Sequence, residues 1–432
     1  MAMIKKIPIS IAILICINSM IGAGLFINPQ PLSQIAGPLG FMGYVFSALL
    51  FLPIILSIAT LAQLHPVSGG FYAYVTSYLG RAWGFCAIWF YFIGKTIAIS
   101  LLLFKALEFF QGYSPFLAQY PTLTLEYVMI AFFVTINIAG VFIGGKIQYL
   151  FTILKAIPIL FAFFVGIKSF NPSYYMFTQA HVANSVWTIS IAAFALMGFE
   201  VICAVGHLIQ DSAKNIKRVI ISAFLIVASI NILFQMLSYA SLGATLTTTK
   251  YSVLAMGLSF LPSYPTIAHI INGAAYAAVF GGFYSLMTSN CWNLHAMAKN
   301  NHLPFSKTLA KISKTNVPWA SLIVEGSLCA FVITITSEQT ILQNMSIFPQ
   351  AFALFLNVTA AYQATKIITN IKLNRWIPLA GFASCTILMT ISFIRIIQAG
   401  ISFSILALFL SGIIAAWVKG TKGPNPSYNP KS

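Results

Sequence analysis

The stretch Asn18-Ser-Met-Ile-Gly-Ala-Gly-Leu-Phe-Ile-Asn-Pro29 lies inside the first long apolar segment of the chain, about Ile9 to Ala36, and places a glycine break, Gly22-Ala23-Gly24, near its middle. A helix in a bilayer must satisfy its own backbone hydrogen bonds, because lipid offers no partners. A break at that depth frees amides and carbonyls, and freed groups at mid-membrane point to a binding site. Close helix packing through small residues is the competing explanation.

Composition supports the membrane setting. The 432 residues are 59% hydrophobic, 14% aromatic and only 7% charged, with a mean hydropathy of +0.90. A soluble protein of this length has no use for such a surface. Apolar runs long enough to cross a bilayer recur along the chain and predict an all-α integral membrane protein with twelve transmembrane helices. They fall at 9–36, 41–64, 83–111, 124–143, 147–168, 185–207, 216–242, 266–297, 317–335, 340–368, 375–397 and 402–418. Lys5 and Lys6 resemble the start of a signal peptide, but the run after them is too long and eleven more follow, so the first span reads as uncleaved.

A net charge of +17 in a soluble protein would suggest nucleic acid; here its distribution gives topology instead. Seventeen of the 23 Lys and Arg fall on the side of the termini: Lys5, Lys6, Arg81, Lys146, Lys214, Lys217, Arg218, Lys299, Lys307, Lys311, Lys314, Lys366, Lys372, Arg375, Lys419, Lys422 and Lys431. Lys168, Lys250 and Arg395 lie at the opposite face, and Lys95, Lys105 and Lys155 within spans. The predicted location is the plasma (inner) membrane with both termini cytoplasmic and the lipid bilayer, not nucleic acid, as surroundings. Residues 419–432, rich in Pro, Asn and Lys, read as a cytoplasmic tail. Cys16, Cys86, Cys203, Cys291, Cys329 and Cys385 all fall in apolar spans without a Cys-x-x-Cys pair, so they read as packing residues.

A second break is expected around Gly198, in Phe194-Ala-Leu-Met-Gly-Phe-Glu200 of the sixth span. Interrupted helices at matching places in two five-helix halves of opposite orientation are the mark of an inverted-repeat transporter. Residues 1–418 then form one transport domain, with a first repeat at about 9–168, a second at about 185–368 and appended helices at about 375–418. Unwinding at Gly22, Ala23 and Gly24 leaves amides that favour a carboxylate, helped by the positive end of a half-helix. Carbonyls freed at Met20, Phe194, Met197 and the Gly198 break suit an ammonium group. Together they predict a receptor for an α-amino acid zwitterion. A dinucleotide-binding reading of Gly22-x-Gly24 fails, because no strand precedes it and the third glycine is missing.

These residues carry a family resemblance: the chain is similar to the amino acid–polyamine–organocation permeases. Asn18 to Pro29 resembles their first-helix signature, and His65-Pro-Val-Ser-Gly-Gly-Phe-Tyr-Ala-Tyr74 resembles the loop after their second helix. Lys155-Ala-Ile-Pro158 resembles a fifth-helix motif, and Phe194 to Glu200 the sixth-helix pattern. Ala296-Met-Ala-Lys-Asn-Asn-His-Leu-Pro304, with Asn316-Val-Pro318, resembles the loop after the eighth helix. The resemblance covers roughly residues 9 to 400 and implies a leucine-transporter type of fold: a 5+5 inverted repeat with discontinuous helices 1 and 6, plus two extra helices. It implies alternating-access transport of an amino acid or amine. It also places Ala23 and Gly24 at the carboxylate, Met20, Phe194 and Met197 at the amine, and Phe194 at an aromatic gate. The arginine–agmatine exchangers have Trp there; Phe offers no N–H and less stacking area, which argues against a guanidinium substrate.

Lys95, in Phe92-Ile-Gly-Lys-Thr96, stands where those exchangers have a polar neutral residue. A mid-membrane lysine costs about 2.5–3.5 kcal/mol to insert and must face protein or water. Lining the cavity, it favours a neutral or acidic substrate over a cationic one; pairing with a nearby acid or snorkelling is the alternative. Lys155 resembles the lysine that takes the place of sodium in sodium-independent members, which implies proton coupling, with a fixed structural cation as the alternative. Glu200, beside the second break, either responds to pH or pairs with a lysine. Glu325 reads as structural, and Lys105 with Glu108 as an i,i+3 pair. Cys291-Trp292 and Asn300-Asn301 depart from the family's usual residues near the cytoplasmic gate. Tyr72, Tyr74, Trp83, Trp89 and Trp187 read as belt or packing residues.

An enzyme is not expected. The six acids Glu108, Glu126, Glu200, Asp211, Glu325 and Glu338 include no adjoining pair, and the histidines lack ligand spacing, so no metal or cofactor is implied. The predicted function is a proton-coupled secondary amino acid transporter; an exchanger without net proton coupling and a non-transporting amino acid sensor share the same site.

Overall fold

A computed structural model describes residues 6–399 apart from 67–69, 140, 205, 207, 208, 316, 336, 337, 369, 370 and 372, and gives the backbone alone at 139, 141–149 and 204. The predicted twelfth span, the tail from 419, Lys5, Lys372, Asn316, His207, the side chain of Lys146 and the Val67-Ser-Gly69 part of the loop motif lie outside the described residues.

The predicted first span is three helices, α1 (Ile9–Met20), α2 (Gly24–Ile27) and α3 (Pro29–Ala36). Then come α4 (Met42–Leu64), α5 (Gly70–Leu79), α6 (Arg81–Tyr113), α7 (Pro115–Ala118), α8 (Thr122–Ala139) and α9 (Val141–Lys168). The sixth span is α10 (Gln179–Ser185), α11 (Ile189–Leu196) and α12 (Val201–Ala204). The remainder comprises α13 (Ser212–Leu242), α14 (Ser252–Phe260), α15 (Pro265–Lys299), α16 (Ser306–Leu309), α17 (Trp319–Ile335), α18 (Gln339–Ile367) and α19 (Trp376–Gln398). Among the described residues the only β-type pairing is an isolated parallel bridge between Ile7 and Ile209.

Eight of these segments are long and apolar enough to cross a membrane, and α1, α8 and α17 are shorter apolar helices at the predicted first, fourth and ninth spans. Their outward faces carry exposed Leu14, Leu49, Leu160, Phe164 and Ile270. In lipid such faces need no cover, so burial here marks helix–helix contact only.

The segment after α4, expected as loop, forms α5 instead. Phe71, Tyr74 and Val75 recur at helical spacing and are buried where α5 packs on α6. Tyr74 donates to the Cys203 carbonyl at 3.3 Å. All six cysteines are free and buried, and Glu108 accepts from both Lys105 and Lys250 at 2.8 Å.

α6 runs through the centre of the bundle, buried along most of its length and packed against α18, α15, α5 and α17. Gly94 allows a close approach of α18. A Cβ there would stand 2.5 Å from Cγ of Gln350 and 2.8 Å from the Ser346 carbonyl. α1 packs on α13 and α12, while α11 lies against α4 and α18, so the two broken helices meet inside the bundle.

Candidate functional site: two helix breaks and their lysines

The first break follows from glycine and a cap. α1 stops at Met20; Ile21 turns extended (φ −72°, ψ 90°) while its amide still bonds the Ile17 carbonyl at 2.8 Å. The helix restarts when the amides of Phe26 and Ile27 both donate to the Ala23 carbonyl. In between, the amides of Gly22, Ala23, Gly24 and Leu25 find no acceptor among the described residues. Free amide donors at the start of a half-helix favour negative charge nearby.

In the second break α11 stops at Leu196, Met197 is extended, and Gly198 takes φ 122°, which only glycine adopts without strain. The carbonyls of Phe194, Ala195, Leu196 and Met197 receive no backbone amide among the described residues, nor does that of Met20. The breaks touch each other. Ser19 Oγ donates to the Cys16 carbonyl (2.8 Å) and to the Gly198 carbonyl (3.2 Å). A Cβ on Gly24 would sit 2.6 Å from Cβ of Ala195, and one on Gly198 would sit 2.6 Å from the Ser19 carbonyl.

Met20, Gly22, Ala23, Gly24, Lys95, Phe194 and Met197 line one narrow cavity. Gly198 and Glu200 stand outside its lining. Glu200 is buried behind Lys95: its Oε1 accepts from Lys95 Nζ at 2.7 Å and from the Tyr91 hydroxyl at 2.9 Å. Its Oε2 accepts from the Gly198 amide at 2.9 Å. One carboxylate therefore neutralises the lysine of α6 and holds the unwound turn of the sixth span.

Lys155 lines an adjoining cavity that shares Ser19, Gly22, Leu102 and Leu286 with the first. Its Nζ donates to the Asn18 carbonyl at 3.1 Å and to Asn18 Oδ1 at 3.0 Å. A cation at the carbonyl end of α1 complements the helix dipole just before the break.

Several residues that sequence reasoning missed complete this region. Tyr91 is one, and Gln350, in the cavity wall, is another. Asn28, fully buried between α2 and α3, donates to the Ile191 carbonyl at 3.0 Å and accepts from Gln343 Nε2 at 2.8 Å, joining the first break to α11 and α18. Asn28 and Asn18 both lie within the quoted first-helix stretch, so their polarity in an apolar run was the available signal; Tyr91 and Gln350 offered none. Glu325 lies apart, bonded by Thr96 Oγ1 (3.2 Å) and Asn290 Nδ2 (3.0 Å).

A family model described as amino acid permease matches residues 12–412. The serine/threonine exchanger SteT of Bacillus subtilis is 25% identical over 361 residues, 80% of each chain. The lysine-specific permease LysP of Escherichia coli is 24% identical, covering 76% of this chain and 71% of that one. The aromatic amino acid transport protein AroP of Escherichia coli O6:H1 is 21% identical, covering 74% and 72%.

Proposed function

Because the chain belongs to the amino acid permease family, we propose that it is a secondary transporter carrying a neutral or acidic amino acid, in preference to a cationic one, by alternating access with a proton as the coupling ion. The observation that carries this reading is the run of unpaired amides at Gly22 to Gly24 facing a cavity that the free carbonyls of the second break also border. Carboxylate and ammonium of an α-amino acid satisfy both sets. The same pair of breaks, five spans apart, supports a leucine-transporter type 5+5 arrangement in the inner membrane, with the helices from about 375 appended.

The named relatives act on serine and threonine, on lysine and on aromatic amino acids, so kinship leaves the side chain open. Lys95 supports the choice made here. Its ammonium is the charged group on the cavity wall, and its counter-ion Glu200 sits behind it. A cationic side chain entering the cavity meets the lysine first. Lys95→Asn should widen acceptance toward lysine and arginine, because Glu200 then acts unopposed; unchanged selectivity removes Lys95 from the site.

Lys155 supports the proton. Bound to two oxygens of Asn18 at the hinge of the first break, it holds that half-helix while charged and weakens its grip on losing the proton. Uptake of labelled glutamate, alanine, serine, leucine, lysine and arginine into proteoliposomes, with and without an imposed pH gradient and internal substrate, tests the whole reading. Gradient-insensitive uptake removes the proton, and no uptake of any of them removes transport. An exchange mode, the alternative already open from the sequence and matched by the name of the Bacillus relative, would show counterflow without a gradient and no net uptake with one.

A further inference from the structure

Gln350 stands in α18 next to Pro349, is 1% exposed, and shares the cavity wall with Lys95 and Ala98 of α6. Its Nε2 donates to the Ser346 carbonyl at 3.1 Å and to the Ser346 hydroxyl at 2.7 Å. A carbonyl only accepts, so the amide nitrogen is fixed on that side and Oε1 is left on the other. No donor among the described residues reaches Oε1. Buried acceptors are normally paired, and this buried, unpaired one belongs to a residue of the cavity wall.

We propose that Gln350 is a specificity-determining residue whose Oε1 accepts a hydrogen bond from a neutral donor, a hydroxyl or carboxamide, on the substrate's side chain. This rests on the transport reading above. The α-carboxylate has the amides of Gly22 to Gly24, and the α-ammonium has the carbonyls of Met20, Phe194 and Met197. What remains for Gln350 is the side chain. On that reading the Lys95 ammonium in the same wall disfavours a cationic side chain, so the donor taken here is a neutral one. Gly94 maintains the geometry by letting α18 approach α6 closely enough to put the amide in the wall.

Matched substrates test this in proteoliposomes: serine against alanine, threonine against valine, and serine against O-methylserine, which keeps the oxygen and loses its proton. One neutral hydrogen bond corresponds to about fivefold in apparent affinity, and the wild-type protein should prefer serine and threonine by at least about that factor. Gln350→Met, similar in length but without an acceptor, should bring each ratio to about one. Equal wild-type affinities within the pairs overturn the proposal without any variant. A preference that survives Gln350→Met overturns it too. Uptake of alanine and serine at equal affinity would sink this inference and leave the transport reading standing, whereas no uptake of any amino acid sinks both.

Discussion

The ion pair between Lys95 and Glu200 should be far more costly to break than to remove. The two atoms are 2.7 Å apart, with 6% and 2% of the side chains exposed. Losing one member of a buried pair costs about 3–5 kcal/mol, because the survivor is an uncompensated charge. In Lys95→Met the carboxylate keeps the Tyr91 hydroxyl and the Gly198 amide, both at 2.9 Å, which places the loss near the lower end, about 3 kcal/mol. In Glu200→Gln the ammonium loses its counter-charge and is left with the Tyr91 ring, 5.4 Å from Nζ, and at most the single neutral amide oxygen that the Gly198 amide also needs; the ring contact offsets about 2 kcal/mol at most. The double variant Lys95→Met/Glu200→Gln carries no stranded charge and keeps an acceptor for the Gly198 amide, so it should be more stable than either single variant. Thermal unfolding of the four purified proteins in one detergent, at one pH, gives the ranking: wild type, then the double variant, then the two singles. If the singles melt with the wild type, or the double variant falls by the sum of the singles, the pair is not coupled and the reasoning fails.

The glycines of the breaks should differ sharply from one another. A Cβ at Gly22 meets nothing within 4 Å, so Gly22→Ala should fold and melt like the wild type. Gly24→Ala collides with Ala195 at 2.6 Å, and Gly198→Ala collides with the Ser19 carbonyl while adopting φ 122°; both should lose transport and melt early, and equal melting of all three would contradict the packing described. Lys155→Ala should abolish uptake driven by a pH gradient, and normal gradient-driven uptake by this variant counts against its proposed role. At the end of α4, burial holds His65 below the usual imidazole range, so the folded protein takes up that proton at lower pH than the unfolded chain, which binds it below about pH 6.5. The stability this provides is complete above that pH and declines on acidification; His65→Gln should flatten the fall in melting temperature between pH 7 and 5, and an unchanged slope would show that His65 does not contribute.

Much of the site was legible because it is made of backbone. Gly22, Ala23, Gly24, Met20, Phe194 and Met197 enter the proposed site through amides and carbonyls, and glycine in an apolar run announces where these are freed. Lys95 and Glu200 were legible as anomalies, single charges in apolar spans, but not as a pair: 105 positions separate them and no local spacing joins them. Gln350 could not be found, since a glutamine in α18 looks the same whether its amide is saturated or left with a free oxygen. α5 was missed because its short amphipathic pattern follows a Gly-Gly pair that reads as loop.

The sequence by itself determined the membrane setting, the order of the apolar helices and the two places where helices must break, since each follows from local composition and the absence of hydrogen-bond partners in lipid. Only the tertiary structure decided which charges remote in the chain meet. It put Glu200 beside Lys95, set Lys155 on the carbonyl of Asn18 and left Oε1 of Gln350, a residue of the cavity wall, without a donor among the described residues. Those outcomes depend on distances between helices remote in the chain, where a shift of an ångström or two separates a hydrogen bond from none.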